Sequence, residues 1–126
     1  PPVKIHVKLI KKGDSLTVDF SGTDRRIGGA VHSYYVFTAS CAYAAIRTVL
    51  DLSIPSNAGF YRPIEVIAPV GTFVNAPFPA AFGSRGQSGY RIRTAVLGAL
   101  VMLLPNRLTA CTGGSKCIIG MVSQWR

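Results

Sequence analysis

A chain of 126 residues and 13.4 kDa has the length of one domain, since domains cluster near ~100–150 residues. Lys and Arg number 14 against 5 Asp and Glu, a net charge of +9, yet charged residues are only 15% of the chain and mean hydropathy is +0.32. These values exclude a disordered tail, a coiled coil and an acidic linker, and they leave a thinly charged surface that expects cover from a larger assembly.

Residues 3–11 alternate, with Val3, Ile5, Val7 and Leu9 on one side and Lys4, His6, Lys8 and Ile10 on the other. That is the pattern of a half-buried strand. A turn at Lys12-Gly13-Asp14 and renewed alternation over residues 15–20 predict a β-hairpin. Residues 21–29 form a polar, glycine-rich loop. Residues 33–52 are apolar nearly all round and hold no Gly or Pro, which predicts a buried helix. It ends before Ile54-Pro55-Ser56-Asn57-Ala58-Gly59, where proline disfavours helix in its predecessor and Asn and Gly favour turns. Pro63 opens a short strand over residues 64–68, and Pro77 and Pro79 hold the next segment extended. A second helix is expected over residues 88–104, ended by Pro105-Asn106. Strands over 107–111 and 117–122 then flank Gly113-Gly114. The order ββαβαββ is an α+β fold, a mixed β-sheet with two buried helices, read as one unit over residues 1–126.

The longest apolar run, residues 95–104, is half of the ~20 residues needed to span a bilayer. The chain opens Pro1-Pro2 with neither Met nor a signal region, which points to a piece of a longer polypeptide or a processed product. Cys41, Cys111 and Cys117 are odd in number and form no CxxC pair. They are expected to be reduced, cytoplasmic thiols rather than zinc ligands or disulfides.

Among candidate sites, the run Gly83-Ser84-Arg85-Gly86-Gln87-Ser88-Gly89-Tyr90-Arg91 places three glycines, three apart, ahead of a helix. Exposed amides and the positive end of the helix dipole attract an anion there, and Arg85 or Arg91 could clamp it. The bland reading is a tight loop with solvated arginines. No acidic residue follows at the spacing of a dinucleotide fingerprint. Thr112-Gly113-Gly114-Ser115-Lys116 lacks the first glycine and the following helix of a phosphate loop, so it reads as a glycine hairpin. Asp19, Thr23 and Asp24 bracket a glycine turn. They suit a hard cation or acid–base work, or else they satisfy loop amides as Asx and ST turns. Two His and five carboxylates make a complete metal site unexpected. The basic excess, with Tyr34, Tyr35 and Tyr90, also admits nucleic acid, although no Lys/Arg run exceeds two residues.

Gly13-Asp14-Ser15-Leu16-Thr17-Val18-Asp19-Phe20-Ser21-Gly22-Thr23-Asp24 resembles the GD…DFSGT segment of the hydantoinase B/oxoprolinase family. Ile54-Pro55-Ser56-Asn57-Ala58-Gly59 and Pro63-Ile64-Glu65-Val66-Ile67-Ala68-Pro69 resemble its IPxNAG and PIEVIAP segments. The likeness runs on, in order, through Asn75-Ala76-Pro77, Arg85-Gly86, Gly89-Tyr90-Arg91, Leu97-Gly98-Ala99-Leu100 and Gly113-Gly114. Departures fall at Asp24-Arg25-Arg26, His32, Val70, Thr112 and Ser115, where the family usually has other residues.

The resemblance implies a fragment of a larger, multi-layer hydantoinase B-type subunit. Such subunits work with a hydantoinase A-type ATP-binding partner, as a hetero-oligomer, in ATP-dependent opening of cyclic amides such as hydantoins and 5-oxoproline. ATP and a divalent metal are implied for the complete enzyme, and neither is expected in this chain. The implied anion or substrate wall is Gly83, Arg85, Gly86, Gly89 and Arg91, with Asp19, Thr23 and Asp24 as lesser candidates. The isolated chain is expected to be inactive. The alternatives are a basic interaction module for nucleic acid or an acidic protein partner, and a catalytically silent assembly subunit.

Overall fold

The computed structural model describes residues 2–51 and 53–108. Its elements are β1 (Lys8–Lys12), β2 (Ser15–Asp19), α1 (Tyr35–Arg47), α2 (Ala58–Tyr61), β3 (Ile64–Ile67) and α3 (Arg85–Val101). β1 and β2 pair antiparallel, with Lys12 opposite Ser15 and Leu9 opposite Val18. Gly13 takes φ +54° at the first loop position, the left-handed backbone that tight hairpin turns require and that glycine adopts without a Cβ penalty. β3 lies parallel to β2, with Val18 opposite Val66. The three-stranded sheet, ordered β1-β2-β3, is therefore mixed, and the fold is α+β as expected.

β3 alternates strictly: Ile64 and Val66 are buried, Glu65 and Ile67 exposed. The inward side chains of β2 and β3 meet α1 and α3, and Val18, Phe20, Val74, Ile92 and Val96 are fully buried between these layers. α1 buries Thr38, Ala39, Ala42, Ala45 and Ile46, a stripe at helical spacing made mostly of small side chains. Small residues let a neighbouring backbone come close, and α3 answers with Ser88, Gly89, Ile92, Val96 and Leu100. A Cβ on Gly89 would lie 2.8 Å from the Phe37 ring and 3.2 Å from Cys41 Sγ. Gly89 is thus a point of close helix approach.

Several boundaries differ from expectation. Residues 3–7 keep the predicted alternation of burial but lie outside the ladder. The IPSNAG turn contains a one-turn helix, because the Asn57 side chain accepts from Phe60 N at 3.2 Å and caps it. α3 starts three residues earlier than predicted, so Gly86 sits inside the helix with Gly89, and of the three glycines only Gly83 remains ahead of it. The strand predicted over 117–122, most of that over 107–111, the double glycine, Cys111 and Cys117 lie outside the described residues; Arg107 and Leu108 belong to no strand.

Candidate functional site

The DFSGT segment resolves into a set of side-chain clips. Asp19 Oδ1 accepts from Ser21 N at 2.8 Å and from Ser21 Oγ at 2.5 Å, closing an Asx turn. These bonds, with smaller help from Lys8 and His6 against the cost of burial, hold the Asp19 carboxyl below its ordinary value. Thr23, buried to 7% exposure, uses one hydroxyl twice: it accepts from His6 N and donates to His6 O, both at 3.1 Å. Asp24 Oδ2 accepts from Lys4 N at 2.7 Å, and Asp24 N donates to Lys4 O at 3.0 Å. Residues 3–7 are therefore pinned by side chains where a neighbouring strand would otherwise pair. Gly22 leaves room for this: a Cβ there would stand 2.6 Å from His6 Nδ1. Asp19, Thr23 and Asp24 all have structural partners. Among the described residues no group of three His, Cys, Asp or Glu side chains comes together, so this part of the chain offers a divalent metal no donor set.

A second clip lies on the far side. His32, 3% exposed, accepts from Ile27 N through Nε2 at 3.1 Å, while Nδ1 faces Ala81 O at 3.3 Å. A carbonyl and an amide at opposite ring nitrogens require the neutral tautomer with the proton on Nδ1. Ser88 Oγ donates to Val31 O, tying the same loop to α3. Behind it a buried chain of hydroxyls runs inward. Thr38 Oγ1 donates to Val74 O at 2.6 Å and lies 2.9 Å from Ser33 Oγ.

Between the two clips opens a cavity of about 620 Å³, within the ~300–1,000 Å³ usual for small-molecule pockets. Val3 and Ile5 form one wall, Ile27, Val31 and Phe73 another. Gln87, Arg91 and Thr94 enter from α3, spaced i, i+4, i+7 and so on one helical face. A smaller cavity of about 360 Å³ lies between α1 and α3, where Cys41, Gly86, Gly89 and Arg93 meet. Burial pushes the Cys41 thiol up, against a weaker opposing effect of Arg93, so it is not primed as a nucleophile.

The five residues of the glycine–arginine run do not converge. Arg91 reaches the larger cavity, Gly86 and Gly89 the smaller one, and Arg85 and Gly83 neither. Arg85 and Arg91 are six residues apart, roughly 120° around the helix. Two early amides are already engaged, Arg85 N by Phe82 O at 3.1 Å and Gln87 N by Ser84 O at 3.0 Å, which weakens the helix start as an anion cradle. The residues missed from sequence are Gln87 and Thr94, and the signal that finds them is their shared spacing with Arg91.

Residues 2–125 match the family model described as Hydantoinase B/oxoprolinase. The B-type subunit of a provisionally named D-/L-hydantoinase from Pseudomonas sp. (strain NS671) is 30% identical over 92% of this chain and 21% of its own length. The 5-oxoprolinase 1 of Arabidopsis thaliana is 29% identical over 75% of this chain and 8% of its own. Among solved structures, the ATP-dependent caprolactamase from Pseudomonas jessenii superposes with a TM-score of 0.73 at 25% identity, covering 82% of this chain and 18% of that one. The chain thus spans about a fifth or less of these relatives.

Proposed function

The chain belongs to the hydantoinase B/oxoprolinase family, and from that membership we propose that it is part of a subunit of an ATP-dependent enzyme opening cyclic amides. The observation that carries this reading is a family match across the whole chain joined to a fold shared with an ATP-dependent caprolactamase. In this reading the chain supplies one wall of a substrate pocket and part of a subunit interface. Arg91, facing the larger cavity, is the member of the expected set best placed to meet an anion. Thr23 and Asp24 serve that wall by holding His6 and Lys4 in place, and Asp19 closes the turn that leads to them.

ATP and its binding are assigned to a hydantoinase A-type partner subunit in a hetero-oligomer. No group of three His, Cys, Asp or Glu side chains comes together to hold a metal among the described residues. Among the described residues no helix is long and apolar enough to cross a membrane.

The test is ATP-dependent hydrolysis of hydantoin, 5-oxoproline and caprolactam, run on the full-length polypeptide carrying this chain with its A-type partner, and on the 126 residues alone. Turnover is expected in the complex with at least one of the three, and none by the isolated chain. Turnover by the isolated chain, or ring opening that needs no ATP, would overturn the reading.

A further inference from the structure

The larger cavity is chemically two-sided. Its apolar walls come from residues 3–5 and 27–31 and from Phe73, while Gln87, Arg91 and Thr94 form a polar row along α3. Ser88 does not add to that row, because its hydroxyl is spent on Val31 O. Arg91 and Gln87 both line the cavity and both are exposed. No carboxylate of the described residues is paired with Arg91: Asp19 is bonded to Ser21 and Asp24 to Lys4. Both walls are fixed before any ligand arrives, one by Thr23 and Asp24, the other by His32. A preformed apolar slot with one planar cation and neighbouring amide and hydroxyl groups matches a specific ligand class.

We infer that this cavity binds a small aliphatic carboxylate: its carboxylate meets Arg91 and Gln87, and its hydrocarbon body lies against Ile27, Val31 and Phe73. The assignment rests on the cavity itself and holds whether or not the chain serves a cyclic-amide hydrolase. Under that activity it has a consequence, since opening a lactam ring creates a carboxylate on an aliphatic chain. The class excludes phosphates with no apolar body and neutral alcohols of the same length. The former leave the apolar walls empty, and the latter leave the guanidinium without an ion partner.

The experiment is a calorimetric titration of the full-length polypeptide with hexanoate, 1-hexanol and inorganic phosphate, on the wild type and on Arg91→Gln and Arg85→Gln. Hexanoate is expected to bind the wild type and to lose about tenfold or more in affinity with Arg91→Gln. Arg85→Gln should leave it unchanged, and 1-hexanol should bind at least about tenfold more weakly than hexanoate. Arg91 is exposed, so its variant should keep the wild-type melting temperature, which is measured alongside. Hexanoate failing to bind, equal loss with both arginine variants, or phosphate binding as tightly as hexanoate would each overturn the assignment. None of these outcomes depends on catalytic turnover, so the site and the activity stand or fall separately.

Discussion

At the residue scale, the carboxylates of this chain work mainly on its own backbone. Asp19 and Asp51 use one device, each accepting from the amide of the serine two residues on, Ser21 and Ser53. The hydroxyl and amide of Ser21 hold the Asp19 carboxyl below its ordinary value, and the amide and hydroxyl of Ser53 do the same for Asp51. For Asp19 the sign follows from the ionised form being the better acceptor. A carboxyl whose pKa is depressed by folding adds stability above its unfolded value, which is lost as pH falls through the folded value. Asp19 should therefore titrate below its ordinary 3.8, followed by carbon NMR of its carboxyl group. Ser21→Ala should move it upward, because both the hydroxyl bond and the geometry of the turn weaken. An unchanged titration in Ser21→Ala would show that the turn does not control Asp19. The Asx-turn reading of Asp19 was available from the sequence and is the one that the Ser21 bonds show, while acceptors and cation ligands share residue types and differ only in what donates to them.

At the element scale, the packing of α1 on α3 separates two kinds of glycine. Gly98 has open space where a Cβ would go, whereas Gly89 would press one against Phe37 and Cys41. Replacing a mid-helix glycine by alanine gains up to about 1 kcal/mol of helix propensity, while overpacking costs about 1–3 kcal/mol. Gly98→Ala should then stabilise the protein by about 0.5–1 kcal/mol, and Gly89→Ala should destabilise it by up to about 2 kcal/mol. Denaturant unfolding of the two variants checks the difference, and equal effects would place α1 and α3 further apart than described. The hairpin and both long helices were legible in the sequence because period-two and all-round apolar patterns leave few alternatives. The start of α3 was not, because Gly86 and Gly89 imitate a loop when the demand for helix contact at Gly89 comes from α1. The α2 turn was hidden for a related reason: Asn57 favours a turn and a helix cap alike. The Arg91 cavity was legible only in part. Its arginine stands out in the chain, but its walls come from three distant segments that only tertiary structure assembles.

At the scale of the whole molecule, apolar side chains remain on the surface. Phe78 is 93% exposed and Met102 87%, values more typical of a face awaiting cover than of scattered surface residues. This chain spans about a fifth or less of its relatives, and in them the remaining polypeptide is available for such cover. Combining Phe78→Ser and Met102→Gln should lower self-association of the 126-residue chain in sedimentation, with thermal stability changed by no more than about 0.5 kcal/mol, as for ordinary surface substitutions. A clear loss of stability would mean that these side chains pack within the chain after all.

The parallel pairing of β2 with β3 also has a consequence for the order of assembly that chain entropy predicts. β1 meets β2 across a two-residue turn, an event of roughly 1–10 μs in isolated hairpins. β3 reaches β2 only after the chain has run out through α1 and α2 and back, so its pairing waits on closure of a long loop. The bonds that lock the interior, Tyr35 Oη to Val66 O and Thr38 Oγ1 to Val74 O, join α1 to segments beyond that crossover. Loop-closure entropy therefore predicts that the hairpin forms early and that the Arg91 cavity, whose Phe73 wall lies past β3, forms late.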